Sequence, residues 1–220
     1  MEALEHIRQK IWDRNGLDQR LATWRKEGKR IVFTNGCFDL VHRGHVEYLA
    51  AAADQGDVLV IGLNSDRSVS RLKGAHRPII DQSSRALLLA ALEFVDAVIL
   101  FEEDTPLSLI QTVLPDVLVK GGDYTEERIV GSDIVRAKGG SVCTIPLTPH
   151  CSTSLIEAKI KGDAAATART ADTAHTTATA HTTATISTAD TLPTSQIEAK
   201  INGNQQNERD NQQDEREKRK

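Results

Sequence analysis

Ile31-Val32-Phe33-Thr34-Asn35-Gly36-Cys37-Phe38-Asp39-Leu40-Val41-His42-Arg43-Gly44-His45 is the stretch on which the fold turns. It opens with a short, β-branched apolar run, passes through a loop and enters a helical pattern. Four further runs share its opening: Val58-Leu59-Val60-Ile61, Ala97-Val98-Ile99-Leu100, Val117-Leu118-Val119 and Val142-Cys143-Thr144-Ile145. Short apolar runs without polar alternation belong to strands covered on both faces. Helical patterns separate them, at 44–53, 82–93, 106–112 and 154–160. Upstream, Leu17, Leu21 and Trp24 stand at helical spacing and predict a leading amphipathic helix. The expected fold is α/β: a Rossmann-like, doubly wound, five-stranded parallel sheet with its ligand crevice at the carboxyl ends of the strands.

The loop after the first strand is therefore where chemistry is expected. Gly36 permits a tight backbone approach, the loop offers N–H groups, and a helix N-terminus follows; together they make an anion site. His42 and His45 are three residues apart at the mouth of that helix, so both imidazoles can face one side. Two such donors can stabilise charge growing on phosphate oxygens in a transition state. The same pair would also suit a metal, but no third ligand stands nearby in sequence. The plain alternative is a helix entry with one capping and one surface histidine.

The 220 residues divide by composition into a helical lead-in at 1–27, a domain at 28–162 and a tail at 163–220. The tail is an Ala/Thr/His tract followed by polar and mixed-charge segments, and too little large apolar surface predicts that it stays largely disordered. It repeats Thr153-Ser154-Leu155-Ile156-Glu157-Ala158-Lys159-Ile160 as Thr194-Ser195-Gln196-Ile197-Glu198-Ala199-Lys200-Ile201. Repeat expansion without function explains this; competition of the second copy for the first copy's groove is the sharper alternative. The net charge of −4 leaves no footprint for nucleic acid or an anionic membrane. Three cysteines without CxxC spacing fit a reducing compartment. With no apolar leader after Met1 and no run of membrane-spanning length, the expected address is the cytoplasm.

Gly36-Cys37-Phe38-Asp39 with His42-Arg43-Gly44-His45 resembles the GxFDxxHxGH signature of the cytidylyltransferase-like nucleotidyltransferase superfamily. Asn64-Ser65-Asp66-Arg67-Ser68-Val69, Arg71-Leu72-Lys73-Gly74, Arg77-Pro78-Ile79, Phe101-Glu102-Glu103-Asp104-Thr105-Pro106 and Leu118-Val119-Lys120-Gly121-Gly122-Asp123-Tyr124 narrow it. In this order they resemble the D-glycero-β-D-manno-heptose 1-phosphate adenylyltransferases, which occur alone or as half of a bifunctional heptose kinase/adenylyltransferase. The likeness covers roughly residues 20–162. No kinase segment is seen, so that activity is expected from another polypeptide. The resemblance implies a bacterial envelope pathway, with ADP-heptose feeding lipopolysaccharide core or related glycans.

It also implies a mechanism. ATP lies with its phosphates over the amides of Cys37 and Phe38 and against His42, Gly44 and His45. The phosphate oxygen of the heptose 1-phosphate attacks the α-phosphorus in line, and pyrophosphate leaves. Magnesium is expected on the triphosphate, held mainly by phosphates and water. Lys73 and Arg85 are candidate triphosphate clamps, with solvated surface charge as the alternative. Gly122 and Asp123, in Gly121-Gly122-Asp123-Tyr124, suit a base or ribose contact or a plain turn. Ser152-Thr153-Ser154 resembles the family's second phosphate signature, and Ser154 with Glu157 also reads as a capping box. Asp39, Asn64 and Asp66 are candidates for the substrate side. Related cytidylyltransferases carry Arg-Thr-Glu-Gly before the second signature, where Thr148-Pro149-His150-Cys151 stands here. Cys37 reads as a packing residue. Domains of this kind often pair, which leaves a homodimer open, although the sequence shows no self-complementary patch. The rival readings are a CTP-dependent transferase for glycerol 3-phosphate or ethanolamine phosphate, and a non-catalytic nucleotide-binding module.

Overall fold

A computed structural model describes residues 2–122 and 128–162. Asp123 and Tyr124, and the tail with its second IEAKI copy, lie outside the described residues. The strands are β1 (Ile11–Trp12), β2 (Ile31–Gly36), β3 (Val58–Asn64), β4 (Ala97–Phe101), β5 (Val117–Gly121) and β6 (Ser141–Ile145). All pair in parallel, in the order β1-β4-β3-β2-β5-β6. Among the described residues the expected parallel sheet is present, with six strands in place of five. The added strand, β1, is two residues long and bonds only along β4, matching Ile11 to Val98. So short a strand has no periodicity to read in a sequence.

The chain runs outward from β2 through β3 to β4, then crosses back to β5 and β6. Strand order thus reverses between β2 and β5, which is where an open α/β sheet leaves a crevice. One face of the sheet is covered by α2 (Arg14–Lys26), α6 (Leu107–Val113) and α7 (Ser132–Ala137), with Leu17, Leu21 and Trp24 packed on Ile31, Phe33, Val60 and Ile99. The other face carries α3 (Arg43–Ala53) and α5 (Gln82–Ala90), whose Tyr48, Leu49, Ala52, Ala86 and Leu89 meet Val32, Ile61 and Val119. Alternate strand residues therefore feed two separate cores, as a doubly covered sheet requires.

Local chemistry sets the helix ends. Asp13 caps α2 by accepting from Gly16 N–H, and Asp81 caps α5 through Ser83 and Ser84. Two helices went unread in the sequence, α4 (Asp66–Lys73) and α7, while α1 (Glu2–Arg8) lies in the helical lead-in expected at 1–27 without a separate reading. Each is eight residues or fewer, and α4 and α7 bury two residues apiece while α1 buries none, so none shows an apolar stripe. The cap of α8 (Thr153–Ile160) corrects the sequence reading: Ser152, not Ser154, accepts from Leu155 N–H, and Glu157 turns instead to Lys161 and Arg77. No helix among the described residues is long and apolar enough to cross a membrane.

Candidate active site

A cleft of about 640 Å³ opens at the carboxyl ends of β2 and β5. Its walls bring together Cys37, Phe38, Asp39, His42, Gly44, His45, Asn64, Lys73, Ser152, Thr153 and Ser154, residues drawn from four separate parts of the chain. The strand order explains the convergence, since every connection leaving a carboxyl end surfaces beside this crevice.

The loop from β2 to α3 is wound tightly. Phe38 and Leu40 take left-handed backbone angles, φ 44° and 48°, which cost energy for residues with a Cβ. What holds them is Asp39, almost wholly buried, which accepts from Arg77 Nε at 2.7 Å, Ile79 N–H at 2.8 Å and Ile80 N–H at 3.0 Å. Burial alone would raise its carboxyl, but the two backbone donors and the Arg77 guanidinium outweigh it and hold Asp39 below its ordinary range. Arg77 also reaches Glu157 on α8 at 3.5 Å, and Thr153 Oγ1 donates to Asp39 O at 2.8 Å. One buried ion-pair network thereby ties the β2 loop, the segment before α5 and the start of α8 into a single frame. Asp39 sits at the cleft edge as the keystone of that frame.

His42 is the residue before α3 and makes no side-chain cap, so the first amides of the helix have no capping side chain. The His42 and His45 rings stack with centroids 3.9 Å apart and an interplanar angle of 22°. Phe38 meets His45 edge-on at 5.4 Å. Both Nδ1 atoms are buried and have no partner among the described residues. Burial pushes the His45 imidazole down to about 4, with the neighbouring His42 adding to the effect, and burial lowers His42 as well. Both rings are thus neutral in the free protein near pH 7. Gly44 is dictated by closeness: a Cβ there would lie 2.8 Å from Cys151 Cβ and 3.2 Å from the His42 ring.

Lys73 ends α4, is exposed, lines the cleft and makes no hydrogen bond or ion pair to a described residue. Arg85 goes elsewhere. It is fully buried, and its guanidinium donates to Ile80 O, Cys37 O and Asp66 Oδ1, the last at 2.7 Å. No face of it is left for a phosphate, so its place is beneath the loop as a brace and not in the cleft as a clamp. Asp66, its partner, lies outside this cleft on a second one of about 660 Å³ beside Arg67 and Gln82. Asn64 borders the cleft but spends its amide on Ser68 Oγ at 3.0 Å. Gly122 does not line the cleft; its N–H closes on Ile145 O at 2.9 Å, while Gly121 forms the wall. Burial raises the Cys37 thiol, in keeping with a packing role.

Sequence reasoning missed two contributors, Arg77 and Lys120. Arg77 could not be found without knowing that Asp39 is buried. Lys120 did leave a signal, a lone cation closing the otherwise apolar run Val117-Leu118-Val119.

The chain is similar to known proteins over much of its length. The cytidylyltransferase-like family matches residues 33–190. The bifunctional protein HldE of Methylobacillus flagellatus is 56% identical over 151 residues, 69% of this chain and 31% of that protein. HldE of Trichlorobacter lovleyi is 54% identical over 151 residues, again 69% of this chain and 31% of its own length. This chain therefore spans about a third of the curated relatives it matches. A lipopolysaccharide core biosynthesis protein from Thermoplasma volcanium aligns over 55% of this chain and 98% of its own, at 28% identity and a TM-score of 0.45. The family match spans residues 33–190, well over half of the chain, and includes the stacked histidine pair; the chain belongs to the cytidylyltransferase-like family of nucleotidyltransferases.

Proposed function

We propose that this chain transfers AMP from ATP to D-glycero-β-D-manno-heptose 1-phosphate, forming ADP-heptose and pyrophosphate, as one step in building a surface glycan. The observation that carries this reading is the stacked, neutral His42–His45 pair at the uncapped end of α3. The order of motifs from Asn64 to Gly122, together with the similarity to HldE proteins, supports the choice of sugar and base.

In this mechanism the triphosphate lies along the α3 end, over the Cys37 and Phe38 loop. A phosphate oxygen of the sugar phosphate attacks the α-phosphorus; the new P–O bond forms as the bond to the β-phosphate oxygen breaks, and pyrophosphate departs. Neutral imidazoles each offer one N–H donor to the oxygens that gain charge, and the fixed frame around Asp39 spares them reorganisation. Lys73, free of protein partners among the described residues, adds a mobile positive charge to the leaving pyrophosphate. Magnesium supplies charge neutralisation on the triphosphate.

The test is pyrophosphate release by the purified chain with the heptose 1-phosphate and magnesium, ATP and CTP in parallel. Turnover with ATP alone is the expected result. Turnover with CTP and glycerol 3-phosphate instead would replace this substrate assignment with the cytidylyltransferase one. Nucleotide binding without any turnover would point to a non-catalytic module.

A further inference from the structure

The cleft has a second wall that the histidines do not reach. Side chains alternate along a strand, so Asn35 and Lys120 leave β2 and β5 on the face shared by Phe33 and Leu118, opposite the face that receives Tyr48 of α3. They stand side by side at the strand-order reversal, and Lys120 Nζ donates to Asn35 Oδ1 at 3.4 Å. Behind them a pocket of about 130 Å³, lined also by Pro106, Leu118, Arg128 and Val130, opens beside the main cleft and shares Asn35, Pro106, Lys120 and Val130 with it. At about 30 Å³ per water that volume is worth roughly four waters, room for one tetrahedral anion and not for a nucleotide.

The charge balance there is unusual. Lys120 is half-buried at the end of a core strand, and burial lowers its ammonium from the ordinary value. Among the described residues no carboxylate pairs with it; its hydrogen bond goes to a neutral amide. A desolvated cation without a counter-ion costs free energy, which an incoming anion would recover. Arg128 supplies a second cation on the same pocket.

We propose that Lys120, with Asn35 and Arg128, forms the subsite for the phosphate of the second substrate, facing the nucleotide across the end of the sheet. This inference rests on the reading of the chain as a sugar-phosphate nucleotidyltransferase. It divides the cleft between two substrates: the triphosphate on the α3 wall, the acceptor phosphate on the β5 wall, with the α-phosphorus between them. Lys120 then holds the attacking oxygen in line and leaves nucleotide affinity to the opposite wall.

The experiment is steady-state kinetics of the full chain and its Lys120→Met and Lys120→Arg variants, varying each substrate in turn. The expected result is a KM for the sugar phosphate raised tenfold or more in Lys120→Met, a KM for ATP within twofold, and partial recovery in Lys120→Arg. An unchanged KM for the sugar phosphate, or an equal rise for ATP, overturns the subsite. Thermal unfolding of each variant separates loss of fold from loss of contact. If the wild-type chain turns over no heptose 1-phosphate, the substrate reading fails on its own, and the subsite is judged by inorganic phosphate. Phosphate-dependent thermal stabilisation lost in Lys120→Met, with the ATP-dependent shift retained, supports it; phosphate stabilisation retained in the variant overturns it.

Discussion

In the proposed mechanism the two histidines carry the chemistry, and their burial makes two separate predictions. His42→Ala and His45→Ala each remove a donor aimed at developing phosphate charge, so each lowers kcat by roughly 10²-fold or more, read by pyrophosphate release. A variant with near-full turnover would make its imidazole a structural group only. The second prediction concerns pH. The folded His45 titrates near 4, below the ordinary imidazole value of 6.5. Between those values the unfolded chain binds a proton that the folded chain refuses, so stability is full above about pH 6.5 and falls as pH drops toward 4. The loss is about 2 kcal/mol once partial solvent screening of the ring is allowed for. Denaturant unfolding at pH 7 and pH 5 should show this slope in the native chain and a shallower one in His45→Asn. An equal slope in both would assign it to other groups. Arg85 is the residue at which sequence and structure part most clearly. Read as a phosphate clamp, its loss would raise the KM for ATP and leave melting unchanged. As a buried brace holding Asp66, Ile80 O and Cys37 O, its replacement in Arg85→Met should instead lower stability by about 3 kcal/mol, measured by denaturant unfolding.

Elements were legible in the sequence where they are long or wholly apolar. The strands at Val58–Asn64 and Ala97–Phe101 announce themselves because both faces are covered, and α2 because Leu17, Leu21 and Trp24 all point into one core. Neither β1 nor α1 left a pattern: a two-residue strand is defined by the hydrogen bonds of its neighbour, which no local window contains. The cleft was legible as a list of post-strand loops, because the fold class alone says where the crevice lies. What could not be read was which charged residues spend themselves on the protein. Asp39, Asn64 and Arg85 look alike in a sequence as polar groups after strands or at a helix start, and only packing shows that each already has protein partners. Gly44 shows the same limit at an element boundary. The sequence placed it in a motif, while the reason it must lack a side chain is the approach of Cys151 from the loop before α8. Gly44→Ala should push α3 and that loop apart and cut kcat at least tenfold while costing about 2 kcal/mol of stability by overpacking, checked by kinetics and unfolding together.

At the scale of the whole molecule, the question is whether the duplicated segment at 194–201 can take the place of α8. The frame around Asp39 gives a physical answer. Residue 155 of α8 is leucine, buried to 8% exposure, and the matching position in the second copy is Gln196. Ser152, whose hydroxyl accepts from Leu155 N–H to cap α8, is matched by Pro193. By sequence, the second copy therefore lacks the cap residue, worth about 1 kcal/mol, and carries an amide at the position where α8 packs a leucine, a difference of about 1–3 kcal/mol. Glu198 preserves the residue that meets Arg77, so the ion pair would not discriminate between the copies. The two differences sum to roughly 2–4 kcal/mol against the second copy as a substitute for α8. Deleting residues 163–220 should accordingly leave the melting temperature and both substrate KM values unchanged. Restoring the cap and the leucine in the second copy, Pro193→Ser with Gln196→Leu, should remove most of the discrimination and let the copies compete, seen as a change in kcat that disappears when 163–220 are deleted. If the truncation alone raised kcat, the unaltered second copy would already be acting on the groove and the energetic argument from Leu155 and Ser152 would be wrong.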